Sequence, residues 1–495
     1  MDKQIRRLGA ALLILLLVLL AQIDYVQVFA ASDLAANPAN ARRQQIAEYD
    51  VDRGAILADD GSTLLAVSRK STGALRYQRH YPSGPLYADV TGYYSSIYGR
   101  SGLERAYDPY LAGDAPELVP QTLADLILGR PKQGASIITT IDPNVQRAAE
   151  RELGGLPGAV VAIEPSTGNV LALYANPTFD PNQLSAQDER VVRAAWRRLN
   201  ADPSKPLVSR ADAELFPPGS TFKLVTASAA LQNGYGPDSL WPNPHVLDLP
   251  NTTHTLQNFG GEHCLGGVSQ ITLADALRVS CNVVFGEIGL ALGANELAAQ
   301  AREFGFAPDT SGGNVPFDIP FQTGVFPAPS YYEQRLPAVA LSAIGQDDVT
   351  ANPMQMALVA AAIANGGVEM CPRLVTEIRD PDGQIVKTYE PQVYSRPLTP
   401  ENAATLTQMM VSVVQSGTGT AAQIPGVTVA GKTGTAQHGE GLAPHAWFVS
   451  FAPADSPQVA VAVIVLDGGS LGSEATGGRV AAPIAKAVME AALGR

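Results

Sequence analysis

The sequence predicts a large α+β domain tethered to a membrane by one N-terminal helix. Three observations predict it. Strand-like runs cluster at both ends of the region after residue 136, helical periodicity fills its middle, and a basic-flanked apolar run opens the chain. At 495 residues the chain is long enough for about two to four domains. With 46% hydrophobic and 16% charged residues, most of it should pack into cores. The formal charge of −13 argues against nucleic acid as a partner, because phosphate binding needs a basic face. The acidity reads as a device for solubility.

The first element is the apolar run Leu8 to Gln22, preceded by Lys3, Arg6 and Arg7. Apolar character continues more weakly to Ala30, with Asp24 and Tyr25 at the outer interface, and about 20 helical residues suffice to span a bilayer. The basic flank places the following chain outside the cytoplasm. The competing reading is a cleaved signal peptide with Phe29-Ala30-Ala31 as its small-residue site. The run is long for that role, which favours an uncleaved anchor.

A mixed segment of short patterns follows. Asp52 to Ser68 reads as a hairpin turning at Asp59-Asp60-Gly61, and Tyr98 to Gly113 as a loop leading into a short helix. Neither carries obvious chemistry, and both fit a small spacer. Near Ser136 the pattern becomes a strand, a break at Asp142-Pro143 and an amphipathic helix. Gly158 to Ala175 is a β-hairpin about Pro165 to Gly168. One of the middle helices is capped by Asn352, opens on Pro353 and stops at Gly366 or Gly367. Three closely spaced strands, Val427 to Gln437, His445 to Pro453 and Gln458 to Leu466, imply antiparallel neighbours. A helix from Arg479 to Gly494 closes the chain.

The chemistry starts at FPPGSTFKLVTA, Phe216 to Ala227. Pro-Pro-Gly ends an extended segment, and a helix should begin at or just after Ser220. Residues three apart share a helix face, so Lys223 can reach the Ser220 hydroxyl. Serine needs a base to become a nucleophile, and burial away from carboxylates makes a neutral lysine accessible. Taken alone, the pattern also fits an N-cap serine followed by a surface lysine.

Two further stretches shift the balance. Ser280-Cys281-Asn282 follows a helix with a capping box from Thr272 to Asp275. In a locally extended turn Ser280 and Asn282 would both enter a cleft, one to relay a proton and the other to hold a peptide. Lys432-Thr433-Gly434-Thr435 lies on a strand, with Thr433 and Thr435 on one face. Lys432 lies on the other face or leans around toward the cleft. Gly434 would let a second backbone pair closely, and two hydroxyls plus a cation suit a terminal carboxylate. Separately, these stretches read as a polar interhelical turn and a glycine-interrupted edge strand.

Cys264, Cys281 and Cys371 are the three cysteines. Cys264 and Cys281 are close enough in sequence to bridge, while three buried thiols remain the alternative. No Cys/His cluster has metal-ligand spacing, and there is no phosphate loop or dinucleotide fingerprint, so no metal or cofactor is expected.

S-x-x-K, S-x-N and K-T-G, once each and in this order, resemble the active-site set of penicillin-binding proteins and serine β-lactamases. RGAILADDG at Arg53 and SGLERAYDPYLAG at Ser101 resemble N-terminal signatures of class B penicillin-binding proteins. AIEPSTGNVLAL, AIGQDDVTANPMQMA, SGTGTAAQIPGVTVAGKTGTAQ and HAWFVSFAP resemble their transpeptidase signatures. The short spacer and the SCN and HAWF variants are similar in particular to the actinobacterial penicillin-binding protein A group.

The resemblance implies an antiparallel sheet flanked by helices plus an all-helical lobe. It divides the chain into a cytoplasmic stub and anchor (1–30), a spacer or pedestal (31–140) and a transpeptidase domain (141–495). It implies peptidoglycan D,D-transpeptidation on stem peptides, covalent inhibition by β-lactams, and co-operation with a membrane glycosyltransferase of the SEDS type. Ser220 would be the nucleophile and Lys223 its base. Ser280 would relay a proton through Lys432, Asn282 would hold the donor peptide, and Thr433, Gly434 and Thr435 would bind its end. The N–H groups of Ser220 and Thr435 would form the oxyanion hole. The rival readings are a β-lactamase or carboxypeptidase, and a non-catalytic sensor or scaffold. A class A hydrolase needs a water-positioning carboxylate, and the nearest acid after the S-x-N motif is Glu287.

Overall fold

The computed structural model describes residues 2–26, 48–73, 75–313, 315–439 and 441–495. Its main sheet has five strands: β1 (Gly158–Ile163), β2 (Val170–Asn176), β3 (Ala430–Ala436), β4 (His445–Ala452) and β5 (Val459–Val465). They lie in the order β3-β4-β5-β1-β2, and every neighbouring pair is antiparallel. The sheet is thus assembled from both ends of the region, as the strand pattern predicts.

The framing helices are α1 (Pro143–Leu153), α2 (Lys223–Gln232), α3 (Asn282–Glu303), α4 (Pro353–Ala364) and α5 (Gly477–Ala492). Strands β1, β4 and β5 are buried along their whole length, so both sheet faces must be covered. Alternation sorts their side chains. Val160, Ala162, Phe448 and Val461 pack with Val145 of α1 and Ala485 of α5. Ala159, Val161, Trp447 and Ile464 pack with Leu224 of α2 and Met354 of α4. Helix α4 is buried on every side because it is the core of the second layer. Its Asn352 cap accepts from Gln355 N at 2.9 Å. Helix α1 starts on Pro143 with Asp142 as cap.

The spacer is built on a six-stranded sheet. The predicted hairpin pairs Ile56–Leu57 with Leu64–Lys70, and Tyr77–His80 continues it on one side. On the other side lie Ser136–Thr139, Val375–Arg379 and Ile385–Thr388. Two of these strands come from far beyond residue 141, so the boundary expected near residue 140 separates chain segments, not sheets.

Buried within the spacer, Glu104 takes Arg53 at 2.7 Å and Arg79 at 2.5 Å, with Tyr81 Oη donating at 3.2 Å. Burial alone would raise the Glu104 pKa, but Arg79 and Arg53 outweigh it and hold the carboxyl below its ordinary value. The RGAIL and GLERAYD stretches, read as free of chemistry, therefore carry a buried ion cluster.

Helix Asp2–Asp24 is exposed throughout its described side chains. Its 23 residues rise about 34 Å, enough to cross a bilayer. Residues 27–30, which complete the expected span, and the Phe29-Ala30-Ala31 site lie outside the described residues.

Candidate active site

Ser220 sits in a 3₁₀ turn, Gly219–Thr221, that runs directly into α2. The turn is pinned from three sides. Trp447 Nε1 donates to Pro217 O at 3.0 Å, Gly219 N donates to Gly345 O at 2.9 Å, and Phe216 exchanges two backbone bonds of 2.8 Å with Ala351. Gly219 has φ +51°, and a methyl on it would lie 3.0 Å from Ala436 Cβ. This is what Pro-Pro-Gly achieves: it lays the Ser220 turn against β3.

The same contact revises the reading of Gly434. A methyl there would stand 2.9 Å from Trp447 Cβ and 3.0 Å from both Pro218 O and Thr221 Cγ2. The missing side chain accommodates the Ser220 turn. It does not open room for a second backbone in the cleft.

Thr272 caps the helix before the second motif, accepting from Asp275 N at 3.0 Å as the capping box predicts. The turn itself is not extended. Ser280 adopts φ +61°, Cys281 is extended, and Asn282 is the first residue of α3. Ser280 and Asn282 still both line the cleft, because the left-handed residue reverses the chain between two helices. Cys264 and Cys281 form a disulfide, and Cys371 is free. The middle residue of S-x-N is therefore bonded to the opposite loop.

Lys223 and Lys432 lie beneath the cleft, both with no exposed surface. Lys223 Nζ donates to Asn282 Oδ1 at 2.7 Å and Ser280 O at 2.8 Å, with Ser280 Oγ at 3.4 Å. Lys432 leans around its strand and donates to Ser280 Oγ and Thr433 O, each at 2.8 Å. Among the described residues none hydrogen-bonds to the Ser220 hydroxyl. The expected direct bond from Lys223 is thus not made here, because its amine is engaged by Ser280 and Asn282.

Burial pushes the Lys223 pKa well below its ordinary value, and Lys432 lowers it further. Burial also brings Lys432 down to about 7. Among the described residues no carboxylate hydrogen-bonds to either amine, so the neutral form that a base requires is accessible.

The Asn282 amide is also used within the protein. Its oxygen accepts from Lys223, and its nitrogen donates to Gln257 O at 3.1 Å. Strand β3 is the sheet edge, which leaves one side of its backbone unpaired. Thr433 Oγ1 meets Thr418 Oγ1 at 2.6 Å, and Thr418, Thr433, Thr435 and Thr476 bring hydroxyls to one cleft. That cleft, about 1120 Å³, is also lined by Ser220. The sequence reading missed Thr418, Trp447 and Gly345, although each falls within a stretch it singled out. Pairing of partners so distant in the chain leaves no local signal.

At the end of β3 the fold gathers His438, His445 and Asp467, with one ligand atom of each within 4.8 Å of the others. Spacing alone gave no hint of this group. The two imidazoles stack with centroids 3.8 Å apart and planes 9° from parallel, so one ion cannot lie in both ring planes. Asp467 N donates to His445 Nδ1 at 3.2 Å, which occupies that nitrogen.

Residues 158–490 match the penicillin binding protein transpeptidase domain family, and residues 53–137 match the penicillin binding protein A dimerisation domain family. The chain belongs to the penicillin-binding protein transpeptidase family. It is 44% identical over 501 aligned positions to a peptidoglycan D,D-transpeptidase PbpA of Mycolicibacterium smegmatis, covering 100% of this chain and 99% of that one. Identity to the PbpA of Mycobacterium tuberculosis is 41% at the same coverage. The structure of M. tuberculosis penicillin-binding protein A as a penicillin G acyl-enzyme superposes with a TM-score of 0.82 at 41% identity. It covers 90% of this chain and 100% of that chain. Membership accounts for the three motifs, all of which lie within residues 158–490.

Proposed function

We propose that this chain is a peptidoglycan D,D-transpeptidase that works through a serine acyl-enzyme and is covalently inhibited by β-lactams. The observation that carries this is the buried pair Lys223 and Lys432, both of lowered pKa and both within reach of the Ser280 hydroxyl, in the cleft lined by Ser220. The family and its D,D-transpeptidase relatives support the same conclusion.

Ser220 Oγ attacks the carbonyl of the penultimate D-alanine of a stem peptide, and its proton passes to neutral Lys223. The N–H groups of Ser220 and Thr435 hold the oxyanion. As the tetrahedral adduct collapses, the C–N bond breaks, and the leaving D-alanine takes a proton from Ser280, which Lys432 replenishes. Asn282 holds the donor peptide, and Thr433 and Thr435 hold its terminal carboxylate. An amino group of a neighbouring stem peptide then attacks the acyl-enzyme and passes a proton through Ser280 back to Lys432, and the C–O bond to Ser220 breaks as Ser220 Oγ takes back the proton held by Lys223.

The helix Asp2–Asp24 anchors the protein in the cell membrane with residues after it outside the cytoplasm, the orientation its basic flank favours. In that position the spacer supports the catalytic domain above the bilayer. A membrane glycosyltransferase of the SEDS type is the partner that supplies the strands.

A class A β-lactamase needs a carboxylate to position water. Glu287 lies within α3 and is not part of the cleft wall, whereas the acids lining the cleft are the exposed Glu262 and Asp347. Among the described residues none of these acids hydrogen-bonds to Ser220, Ser280 or either lysine, which argues against the class A β-lactamase reading. The test is mass spectrometry after penicillin treatment. A slowly decaying adduct on Ser220, absent in Ser220→Ala, is expected. Rapid spontaneous loss of the adduct would establish a β-lactamase, and labelling of Ser220→Ala would remove Ser220 as nucleophile.

A further inference from the structure

We propose that Asn258, in the loop facing the S-x-N motif, is a positioning residue for acylation that caps α3 from outside the helix and so sets Asn282 against Lys223. The first N–H groups of a helix have no partner within it, and the residue before α3 would ordinarily supply a cap. That residue is Cys281, whose sulfur is bonded to Cys264 and caps nothing. The cap comes instead from twenty-odd residues upstream. Asn258 Oδ1 accepts from Asn282 N at 2.8 Å and Val283 N at 3.2 Å. Its Nδ2 is tethered to Glu262 O at 3.0 Å, which fixes which way the amide faces.

The neighbouring contacts converge on the same three residues. Gln257 O accepts from Asn282 Nδ2 at 3.1 Å, and Cys264 of the same loop closes the disulfide to Cys281. The loop therefore grips Cys281, Asn282 and Val283 together. The disulfide fixes where the chain passes. The Asn258 bonds fix how the first turn of α3 is rotated, and that rotation aims the Asn282 side chain.

Asn282 Oδ1 accepts from Lys223 Nζ at 2.7 Å, so two links separate Asn258 from the amine. The other groups around that amine are Ser280 and the Phe285 ring at 5.4 Å, and Lys432 is the titratable neighbour acting on it. This inference rests on Lys223 serving as the base of the proposed reaction. If Asn282 turns away, the amine loses a polar partner, and the geometry of proton transfer loosens.

The experiment compares full-length protein in detergent with Asn258→Ala, Asn258→Ser and Asn258→Asp variants, following penicillin acylation from about pH 5 to 9 alongside thermal stability. Asn258→Ala is expected to slow acylation by up to about 100-fold, and to move the acid limb of the rate profile to lower pH, since an ammonium loses an acceptor. Asn258→Asp restores the cap and most of the rate, but moves the limb to higher pH because a carboxylate favours charged Lys223. Asn258→Ser is expected to fall between the two in rate. Loss of stability with an unchanged rate and unchanged limb in the alanine variant would overturn the proposal. So would an aspartate variant whose limb does not move upward, a result that remains readable if the alanine variant fails to fold. Absence of a Ser220 adduct in the unmodified protein would instead sink the reaction itself.

Discussion

Ser280 Oγ lies 2.8 Å from the amine of Lys432, and that bond joins the S-x-N turn to strand β3 across the floor of the cleft. The same hydroxyl stands 3.4 Å from Lys223, so it lies between the two amines, where the proposed reaction places its proton relay. Removing it in Ser280→Ala leaves both lysines in place without a proton path between them. Penicillin acylation measured by stopped flow should fall by about 10²- to 10⁴-fold, with the fold unchanged by circular dichroism.

The lysine pair also governs pH dependence. Burial lowers the Lys432 pKa from 10.5 to about 7 in the folded protein. Between those values the unfolded chain holds the proton and the folded chain does not. Stability therefore rises with pH across the window, and below it the full penalty for charging a buried amine is present. Denaturant melts of Lys432→Met should show a flatter dependence between about pH 7 and 10, because the proton difference is gone. Acylation by the unmodified enzyme should climb as pH rises and neutral Lys223 accumulates, then fall above about pH 7 as Lys432 loses the proton that the leaving group takes.

Gly434→Ala probes the seat of the Ser220 turn. Its methyl must displace Trp447, Pro218 or Thr221, none of them a flexible side-chain tip. A stability loss of about 1–3 kcal/mol is expected from overpacking, together with slower acylation because the Ser220 turn shifts. Normal acylation in this variant would show that the turn tolerates the shift.

The disulfide closes a loop between residues 17 apart. The paired Cys264→Ser and Cys281→Ser variant should lose about 3 kcal/mol by loop-closure entropy. Denaturant midpoints with and without reductant measure this, and the variant should be insensitive to reductant.

Glu104→Gln tests the buried cluster in the spacer. With Arg53 and Arg79 left facing a neutral amide, the expected loss is about 3–5 kcal/mol. The readout is the thermal midpoint of the full chain.

Much of this molecule is legible in the sequence wherever the signal is local. The strands of the main sheet, the caps at Thr272 and Asn352, and the three motifs all announce themselves by period, capping chemistry or spacing. What escaped is long-range. Arg53 and Glu104 lie 51 residues apart, and nothing in either stretch says that they pair. Asn258 caps a helix it does not belong to. Gly434 was read for the cleft because a glycine in a strand shows only that space is needed, not on which side. The Ser280 turn was read as extended because a serine with positive φ is rare, and it is held there by distant partners, Lys223, Lys432 and the disulfide at Cys281. Lys223 was read toward Ser220 from helix spacing, which reports reach but not competition from Ser280 and Asn282.

The spacer sheet takes its last two strands from Val375–Arg379 and Ile385–Thr388, long after Ser136–Thr139. A chain emerging N-terminus first cannot complete that sheet until most of the second domain has followed it. The edge of Ser136–Thr139 then stays unpaired while some two hundred residues pass, a long interval of high contact order. Completion of the spacer sheet therefore waits for residues 375–388, and truncations that stop short of residue 388 should expose that edge to proteolysis.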